Sequence, residues 1–296
     1  MNNFKAGFVA IVGRPSAGKS SLINSLTGYK TAIVSPLPQT TRRNIRAIVN
    51  KEQGQIVFID TPGMHKSDKK INHYLFTEAK RALEDADAIL YLIDVSRKLG
   101  PEEEEVAKLV AGTGKTKLVA FNKIDKEDAV RNLPFYNQFI KHFLPDITAV
   151  HISAQEKTGL NELTTQLIEL LPESEALYPA EMYTDQQPTL RISEILREQA
   201  IKQLRNEVPH ALYIDIADME MRGSKLWVRL FMVVERESQK AMLIGREGLT
   251  LRKIRVASLK ELSLIFPYKI ELDIKVKADK AWRNNDDVLK KLFMLN

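Results

Sequence analysis

Positions 13–20 read GRPSAGKS, which fits the phosphate-binding pattern G-x-x-x-x-G-K-[S/T]. The apolar run Ala6–Val12 precedes the motif and a helix-like segment near 20–27 follows it, the strand-loop-helix context that the pattern requires. Glycines let the backbone approach phosphate, and the amides of the loop and of the helix N-terminus face its negative charge. The motif therefore predicts an α/β domain with a nucleotide at this turn. The predicted contacts are Gly13, Arg14, Pro15, Ser16, Ala17, Gly18, Lys19 and Ser20.

The first 171 residues alternate between apolar runs and amphipathic segments, which predicts a doubly wound, mostly parallel sheet. The runs are rich in Val, Ile and Phe, as buried parallel strands are. They are Ala6–Val12, Gln55–Ile59, Ala88–Ile93, Lys117–Phe121 and Thr148–Ile152. The run Arg43–Asn50 alternates more clearly and predicts a strand with one wet face. Helix-like segments lie near 20–27, 72–84, 101–111, 131–142 and 160–171.

Three further motifs each follow a predicted strand, at the strand end where α/β proteins bind ligands. They are DTPG at 60–63, NKID at 122–125 and Ser-Ala at 153–154. With the phosphate loop, they occur in the order and spacing of a translation-factor-like GTPase domain. The predicted contacts here are Asp60, Thr61, Pro62, Gly63, Met64, Asn122, Lys123, Ile124, Asp125, Ser153 and Ala154.

The NKID motif predicts guanine as the base. Asp125 can accept hydrogen bonds from N1–H and the exocyclic amine of guanine, a donor pair that adenine lacks. Asn122 can tie its loop to the phosphate loop, and the stem of Lys123 can cover the base. At 153–154 a backbone N–H would face the guanine O6. The predicted ligands are therefore GTP and GDP.

Magnesium and catalysis involve the phosphate loop and two predicted switch loops, residues 35–42 and 63–70. Lys19 should reach the β- and γ-phosphates, while Ser20 and Asp60 should bind Mg²⁺. We favour Thr41 over Thr40 as the threonine that completes the Mg²⁺ shell when the γ-phosphate is present.

We predict Lys19, Gly63 and Thr41 as the catalytic set, with the Gly63 N–H on the γ-phosphate. Met64 stands where Ras-like enzymes carry a water-orienting glutamine, so unaided hydrolysis should be slow. His65 is an alternative group for that water.

The pattern changes after residue 171. Three prolines and several acids between Pro172 and Pro188 predict an interdomain connection. The predicted organisation is a nucleotide domain at 1–171, a connection at 172–189 and a second domain at 190–296. The second domain is predicted to contain a helix at Leu190–Arg205, strands at Leu212–Ala217, Lys225–Glu235 and Lys269–Val276, and two short helices around Gly245–Gly248.

A basic glycine loop is the functional signal of the second domain. Positions 245–248 form G-x-x-G between two helix-like segments, the loop that lets KH domains bring a nucleic-acid backbone close. The element order resembles a type II KH domain, which is α+β. Residues 181–296 hold 21 Lys+Arg and 17 Asp+Glu, an excess of +4 against a chain total of +6. The predicted RNA contacts are Gly245, Arg246, Gly248, Arg252, Lys253 and Arg255.

The whole chain resembles the Era family of bacterial GTPases. The resemblance rests on GRPSAGKS, QTTR, DTPGMHK, NKID, SAQEKTGL, ERESQKAMLIGREG and KADKAWR, of which the ERESQK stretch at 235–240 is the most discriminating. It implies a GTPase that binds the 3′ end region of 16S rRNA through its KH domain and acts in small (30S) subunit maturation. It also implies a cytoplasmic protein that associates partly with the inner face of the cell membrane. The absence of cysteine fits a reducing cytoplasm, and we expect a monomer.

The sequence departs from the family pattern at two sites. Ser16 replaces an Asn that helps to bind an activating K⁺ in related GTPases, so the resemblance does not extend to potassium stimulation. Arg246-Glu247 replaces the usual Lys-Gly, which adds a negative charge to the KH loop. Two other functions remain open from the residues alone: a GTP-dependent switch whose second domain binds a protein or membrane partner, and a GTPase that acts on tRNA.

Overall fold

The computed structural model describes residues 4–35, 44–61, 70–204, 208–280 and 282–293. Its contacts divide the chain into two compact units. The first contains most of the chain up to Asp185, and the second contains Gln186–Asn296. Within the described ranges, no helix is both long enough and apolar enough to span a membrane.

The first unit is built on a six-stranded sheet with the order β2-β3-β1-β4-β5-β6. Its strands are β1 (Lys5–Val12), β2 (Ile45–Lys51), β3 (Gly54–Asp60), β4 (Ala88–Asp94), β5 (Thr116–Asn122) and β6 (Ala149–His151). Only the β2–β3 pair is antiparallel; the other neighbouring strands are parallel. The predicted doubly wound, mostly parallel sheet is therefore confirmed.

Five helices cover the two faces of this sheet. They are α1 (Lys19–Thr27), α2 (Lys70–Asp85), α3 (Pro101–Ala111), α4 (Glu127–Phe143) and α5 (Leu160–Leu170). The apolar residues of α1 and α5 pack on one face, and those of α2, α3 and α4 pack on the other. Because both faces are covered, β3 and β4 are buried along their whole length, which explains their continuous apolar sequence.

The segment 172–185, predicted as part of an interdomain connection, packs on the first unit. Its first residue accepts a hydrogen bond from Ala6 of β1 at 3.1 Å, and Tyr183 O accepts one from Ile48 N of β2 at 3.0 Å. Prolines and acids indicated the absence of regular structure here, but extended chain can still pair with the edge of a sheet. The next helix begins at Pro188 rather than Leu190. The bounds 1–171, 172–189 and 190–296 stay a prediction, with this segment placed in the first unit by its contacts.

The segment 172–185 covers part of β2 and so lowers the exposure of that strand. Its predicted wet face is only partly wet, because Ile48 is buried together with Ala47 and Val49, while Arg46 and Asn50 are exposed.

The second unit has the element order of a type II KH domain, as predicted. Its strands are β7 (Tyr213–Arg222), β8 (Lys225–Val234) and β9 (Lys269–Ala278), and its helices are α6 (Pro188–Gln203), α7 (Val208–Ala211), α8 (Glu237–Ile244), α9 (Leu249–Ser263) and α10 (Asp286–Phe293). Strand β8 lies in the centre, antiparallel to β7 and parallel to β9. Residues of α6, α8 and α9 form the core with the covered face of the sheet.

Three features of this unit differ from the sequence prediction. Helix α9 is a long helix rather than a short one, and α7 and α10 were not predicted. The buried ring of Trp282 explains why the chain after β9 folds back: it packs against Tyr213, and its Nε1 donates to Ala211 O at 2.9 Å.

Candidate nucleotide site and nucleic-acid interface

The phosphate loop joins β1 to α1 and has an unusual backbone. Ser16 has φ 64° and Gly18 has φ 100°, both in the left-handed region. At Gly18 an added Cβ would clash with the side-chain amide of Asn122, and at Gly13 it would clash with the carbonyl of Leu92. These close approaches and the left-handed backbone at Gly18 account for the two glycines of the motif. The rest of the loop is held by contacts within the protein.

Lys19 lies inside this loop. Its side chain is buried, and Nζ donates to Gly13 O at 3.0 Å and to Arg14 O at 3.3 Å. Burial lowers the pKa of Lys19, and the nearby carboxylates of Asp60 and Glu103 oppose that shift. The ammonium lies among carbonyl oxygens of the phosphate loop, and its positive charge can attract an anion there.

Ser20 and Asp60 are brought together by the first turn of α1 and the end of β3. The Ser20 hydroxyl donates to Asp60 Oδ2 at 2.8 Å. Thr61, next along the chain, is buried and donates to Ile11 O of β1 at 2.7 Å, which fixes the start of the following loop. Two oxygen side chains thus meet beside Lys19, and oxygen is the ligand that Mg²⁺ prefers.

Asn122 ties its loop to the phosphate loop, as the sequence predicted, and also to the loop after β6, which the sequence did not predict. Its Nδ2 donates to Ala17 O of the phosphate loop at 2.9 Å. Its Oδ1 accepts from Ala154 N at 3.0 Å. On the other side of that residue, Ser25 of α1 donates to Ala154 O at 2.6 Å. The phosphate loop and the loop after β6 are therefore fixed to one side chain.

Lys123 leaves the end of β5 with φ 66° and bridges two partners. Nζ donates to Ser16 O at 2.9 Å and forms an ion pair with Asp94 at 2.6 Å. Asp94 was missed from the sequence, although it ends strand β4 in the same way that Asp60 ends β3. The rule that singled out Asp60 would also have found it. The next residue, Ile124, packs against the apolar cluster on the α2–α4 face, so its side chain is structural.

Asp125 and Ser153 lie side by side. The Ser153 hydroxyl donates to Asp125 Oδ1 at 2.6 Å. This hydrogen bond is the main cause that lowers the pKa of Asp125, with Lys126 acting in the same direction. The carboxylate is therefore held in the ionised form that accepts hydrogen bonds.

The loop after β6 differs from the prediction of an available backbone N–H. Ser153 N donates to Thr158 O at 3.1 Å, and Ala154 N donates to Asn122. Both amides are paired because this turn closes on itself and against the NKID loop. A guanine O6 would have to share the Ala154 N–H with Asn122, and Ser153 contributes through its hydroxyl instead.

The predicted residues of the two switch loops lie outside the described residues. These are Thr40, Thr41, Pro62, Gly63, Met64 and His65. Arg14 is described, and its guanidinium is turned away from the loop into a buried ion pair with Glu103. Pro15 O accepts from Arg97 at 3.4 Å.

In the second unit, the G-x-x-G loop connects α8 to α9 as a single 3₁₀ turn at Arg246–Gly248. Gly245 has φ 73° and Gly248 has φ 76°. A Cβ at Gly245 would clash with Thr250, whereas a Cβ at Gly248 would meet open space. The side chains of Arg246 and Glu247 are 90% and 79% exposed and only 4.0 Å apart. The loop is thus an exposed turn with its own weak ion pair.

Basic and apolar side chains are exposed around this loop. Arg252, Lys253 and Arg255 of α9 are all exposed, as the prediction requires. Sequence reasoning missed Met242 and Leu249, which are 54% and 49% exposed on either side of the turn. In the sequence both fit an amphipathic helix and read as core; only their exposure sets them apart. Apolar side chains beside cations suit unstacked bases as well as phosphates.

Comparison with known proteins gives two matching family models and many full-length relatives. The model described as "50S ribosome-binding GTPase" matches residues 8–123, and the KH domain model matches residues 207–283. GTPase Era of Treponema denticola is 50% identical over 292 residues, covering 97% of this chain and 99% of the relative. GTPase Era of Borreliella burgdorferi is 40% identical over 291 residues, covering 98% and 99%.

Two solved structures of Era match over nearly the whole chain. A variant of Era from Aquifex aeolicus bound to GDP·AlF4⁻ has a TM-score of 0.92 and 35% identity, with 98% of each chain covered. Era in complex with MgGDPNP and nucleotides 1506–1542 of 16S ribosomal RNA gives the same values. Both units, the motif geometry and these relatives lead to one conclusion: the chain belongs to the Era family, P-loop GTPases with a C-terminal KH domain.

Proposed function

We propose that this chain couples a GTP/GDP·Mg²⁺ site in its first unit to binding of the 3′ region of 16S rRNA by its KH unit, in maturation of the small ribosomal subunit. The observation that carries the RNA part is the exposed G-x-x-G turn, which opens a basic helix. A relative of 35% identity binds nucleotides 1506–1542 of that RNA.

In the nucleotide site, Lys19 and the loop amides would hold the β- and γ-phosphates. The phosphates would add negative charge beside Lys19 and so favour its ammonium form against the effect of burial. Asp125 would accept from N1–H and the exocyclic amine of guanine, with the Lys123 stem against the base.

The Ser20 and Asp60 oxygens fit a magnesium ion, which would supply positive charge to offset that of the nucleotide's phosphates. Thr41 stays the predicted third ligand, and Gly63 the predicted γ-phosphate contact. Hydrolysis would depend on positioning and charge stabilisation by this chain's own groups, with Lys19 and the amides of the phosphate loop as the described contributors.

In the KH unit, the amides of the turn and the N-terminus of α9 would face the RNA backbone. Arg246, Arg252, Lys253 and Arg255 would supply charge, while Met242 and Leu249 would offer apolar surface to bases. Glu247 weakens this charge by one unit without blocking the turn, because its side chain is 79% exposed.

The location that this function requires is the cytoplasm, and partial association with the inner face of the cell membrane stays part of the proposal. We also propose that the protein works as a monomer.

The test is fluorescence anisotropy of a labelled 3′-terminal 16S rRNA fragment, titrated with protein that carries GDP or a non-hydrolysable GTP analogue. A scrambled RNA of equal length controls for sequence. We expect tighter binding in the GTP-analogue form and weaker binding to the scrambled RNA. Equal, weak binding to both RNAs in both nucleotide states would refute the RNA proposal and favour a protein or membrane partner.

Gly248 offers a matched pair of variants for this test. A side chain there meets open space, and Asp and Asn both tolerate a left-handed backbone. Gly248→Asp adds a negative charge at the turn, while Gly248→Asn has the same shape without the charge. We expect Gly248→Asp to lose at least tenfold in affinity (~1.4 kcal/mol), and Gly248→Asn to lose much less. Equal losses would mean that backbone shape, and not phosphate approach, explains the effect.

A further inference from the structure

The side chain of Arg14 does not face the phosphate site. It is 4% exposed and lies beneath the phosphate loop, where it forms an ion pair through Nε with Glu103 of α3. Its Nη2 donates to the hydroxyl of Tyr136 of α4 at 2.9 Å. A residue of the loop is therefore attached to two helices on the other side of the sheet.

Glu103 is a fully buried carboxylate that nucleotide binding does not use. One oxygen pairs with Arg14, and the other accepts from the hydroxyl of Tyr91 at 2.6 Å. Burial raises the pKa of Glu103, and the charge of Arg14 opposes that shift. A buried pair of this kind adds little to folding compared with apolar residues of the same size. Its presence directly under a ligand loop therefore points to a role other than stability.

Tyr136 extends the contact to the loop after β4. Besides accepting from Arg14, its hydroxyl shares its single hydrogen between Asp94 O at 3.2 Å and Arg97 O at 3.0 Å. Burial raises the pKa of Tyr136 to about 12, so the hydroxyl stays protonated and available as a donor. The same stretch of chain holds Lys123 through the Asp94 carboxylate.

The phosphate loop needs such anchors because of its backbone. Ser16 adopts a left-handed φ value, and a non-glycine residue persists in that conformation only where the surroundings hold it. Asn122 and Lys123 hold the later part of the loop through direct hydrogen bonds: their side chains donate to Ala17 O and Ser16 O. Arg14 holds the earlier part.

We propose that Arg14 and Glu103 are positioning residues that hold the phosphate loop in its nucleotide-binding shape before a nucleotide arrives. Both side chains are buried, at 4% and 0% exposed, so we expect neither to touch the nucleotide. By fixing the loop in advance, the pair lowers the ordering cost of binding and slows release. The proposal rests on the nucleotide site described above, and GDP binding by the parent protein tests that site separately.

The experiment measures the release rate of a fluorescent GDP by stopped flow and the thermal unfolding midpoint without nucleotide. The variants are Arg14→Met, Glu103→Leu and the double variant. Each single change leaves one buried charge unpaired, so we expect a lower midpoint and release about tenfold faster or more, equivalent to ~1.4 kcal/mol.

The double variant separates positioning from stability. Removing both charges removes the penalty of an unpaired buried charge, so the midpoint should recover. The directional contacts to Glu103 and Tyr136 remain lost, so release should stay at least about fivefold faster than in the parent. Recovery of both the midpoint and the release rate would overturn the proposal, because the pair would then serve folding alone.

Surface changes of the same chemistry provide the controls. Glu104→Leu changes the neighbouring glutamate of α3, which is 50% exposed and paired with Lys108. Arg131→Met changes an arginine of α4 that is 84% exposed. Both should leave GDP release within about twofold of the parent. Should the parent fail to bind GDP, the nucleotide site itself would be refuted. Should all variants release GDP at the parent rate, only the positioning role of Arg14 and Glu103 would be refuted.

Discussion

Asp125 illustrates how a single side chain can set the choice of base. Its carboxylate lies at the end of the NKID loop, fixed by the Ser153 hydroxyl at 2.6 Å. Asn in its place can accept from N1–H but presents an N–H donor to the exocyclic amine of guanine, which is also a donor; xanthine has a carbonyl acceptor at that position.

We therefore expect Asp125→Asn to lower GDP affinity by about 100-fold, ~3 kcal/mol, while XDP affinity rises. Competition of GDP and XDP against a fluorescent nucleotide measures both. Asp128→Asn, an exposed change on α4, is the control. Unchanged preference for GDP in Asp125→Asn would contradict the assignment of the base site.

The hydrogen bond between Asp125 and Ser153 also predicts how GDP affinity depends on pH. Guanine binding needs ionised Asp125, and the Ser153 hydroxyl holds the pKa of Asp125 below its ordinary 3.8. The pH must therefore fall further before Asp125 is protonated and guanine binding is lost than it would without this hydrogen bond. In Ser153→Ala the pKa moves up towards its ordinary value, so protonation and loss of binding begin at higher pH.

GDP affinity measured for both proteins between about pH 6 and pH 3 checks this, because the pKa of Asp125 lies below 3.8 in the parent and rises towards 3.8 in the variant. The ratio of the two affinities cancels the titration of GDP itself. We expect the deficit of Ser153→Ala to widen as the pH falls. A ratio that stays constant over this range would show that Ser153 does not act through the ionisation of Asp125.

At the scale of elements, the segment 172–185 depends on one buried side chain. Gln55 of β3 is 0% exposed and satisfies several groups. Its Oε1 accepts from Leu177 N at 2.8 Å and from Tyr178 N at 2.9 Å, and its Nε2 donates to Tyr178 O at 2.8 Å. The side-chain amide of Gln55 thus pairs with backbone groups of Leu177 and Tyr178, as the backbone of a neighbouring strand would.

Gln55→Leu would leave the part-buried N–H groups of Leu177 and Tyr178 without their acceptor. We expect it to destabilise the protein by about 1–2 kcal/mol, below the full cost of two buried unpaired groups because water can reach part of this segment. Urea unfolding followed by circular dichroism measures the change. Gln53→Leu, at an exposed neighbouring position, should change stability by less than about 0.5 kcal/mol. Similar losses in both variants would argue against the role of Gln55.

Local pattern was enough to predict most elements and their contacts at the nucleotide site. Apolar runs and strand-end motifs correctly brought Lys19, Ser20, Asp60 and Asn122 together, because parallel strands place their ends at one edge. The segment 172–185 could not be predicted in the same way. Its contacts depend on Gln55, a polar residue in a buried strand, whose partners lie more than 100 residues away in the chain.

The side chain of Arg14 was also beyond sequence reasoning. Inside a phosphate-binding motif, an arginine suggests contact with phosphate, and only tertiary packing shows that Glu103 takes its charge. At the KH loop the opposite happened: Met242 and Leu249 fit a core pattern but are exposed. In both cases the role of the side chain depends on whether it is buried, and the periodicity of a sequence predicts burial only on average.

At the scale of the whole molecule, the end of the first unit is a prediction that can be tested by truncation. Residues 1–185 contain the sheet and the segment that covers β2, whereas residues 1–171 lack that segment. We expect the 1–185 protein to fold and bind GDP with an affinity near that of the full chain. The 1–171 protein should show a lower unfolding midpoint and weaker solubility, because β2 and Gln55 lose their partners.

Thermal unfolding and GDP titration of both truncated proteins, beside the full chain, measure this. A 1–171 protein as stable as the 1–185 protein would place the functional boundary at 171, where the sequence pattern first set it.

The position of that segment at the end of the first unit also matters while the chain is being made. A ribosome adds about 5–20 residues per second, so residues 172–185 follow the rest of the unit by about 1–3 s. During that interval β2 presents an open edge, able to pair with another nascent chain on the same messenger. We expect this protein to depend on the later residues of its first unit for protection from aggregation during translation.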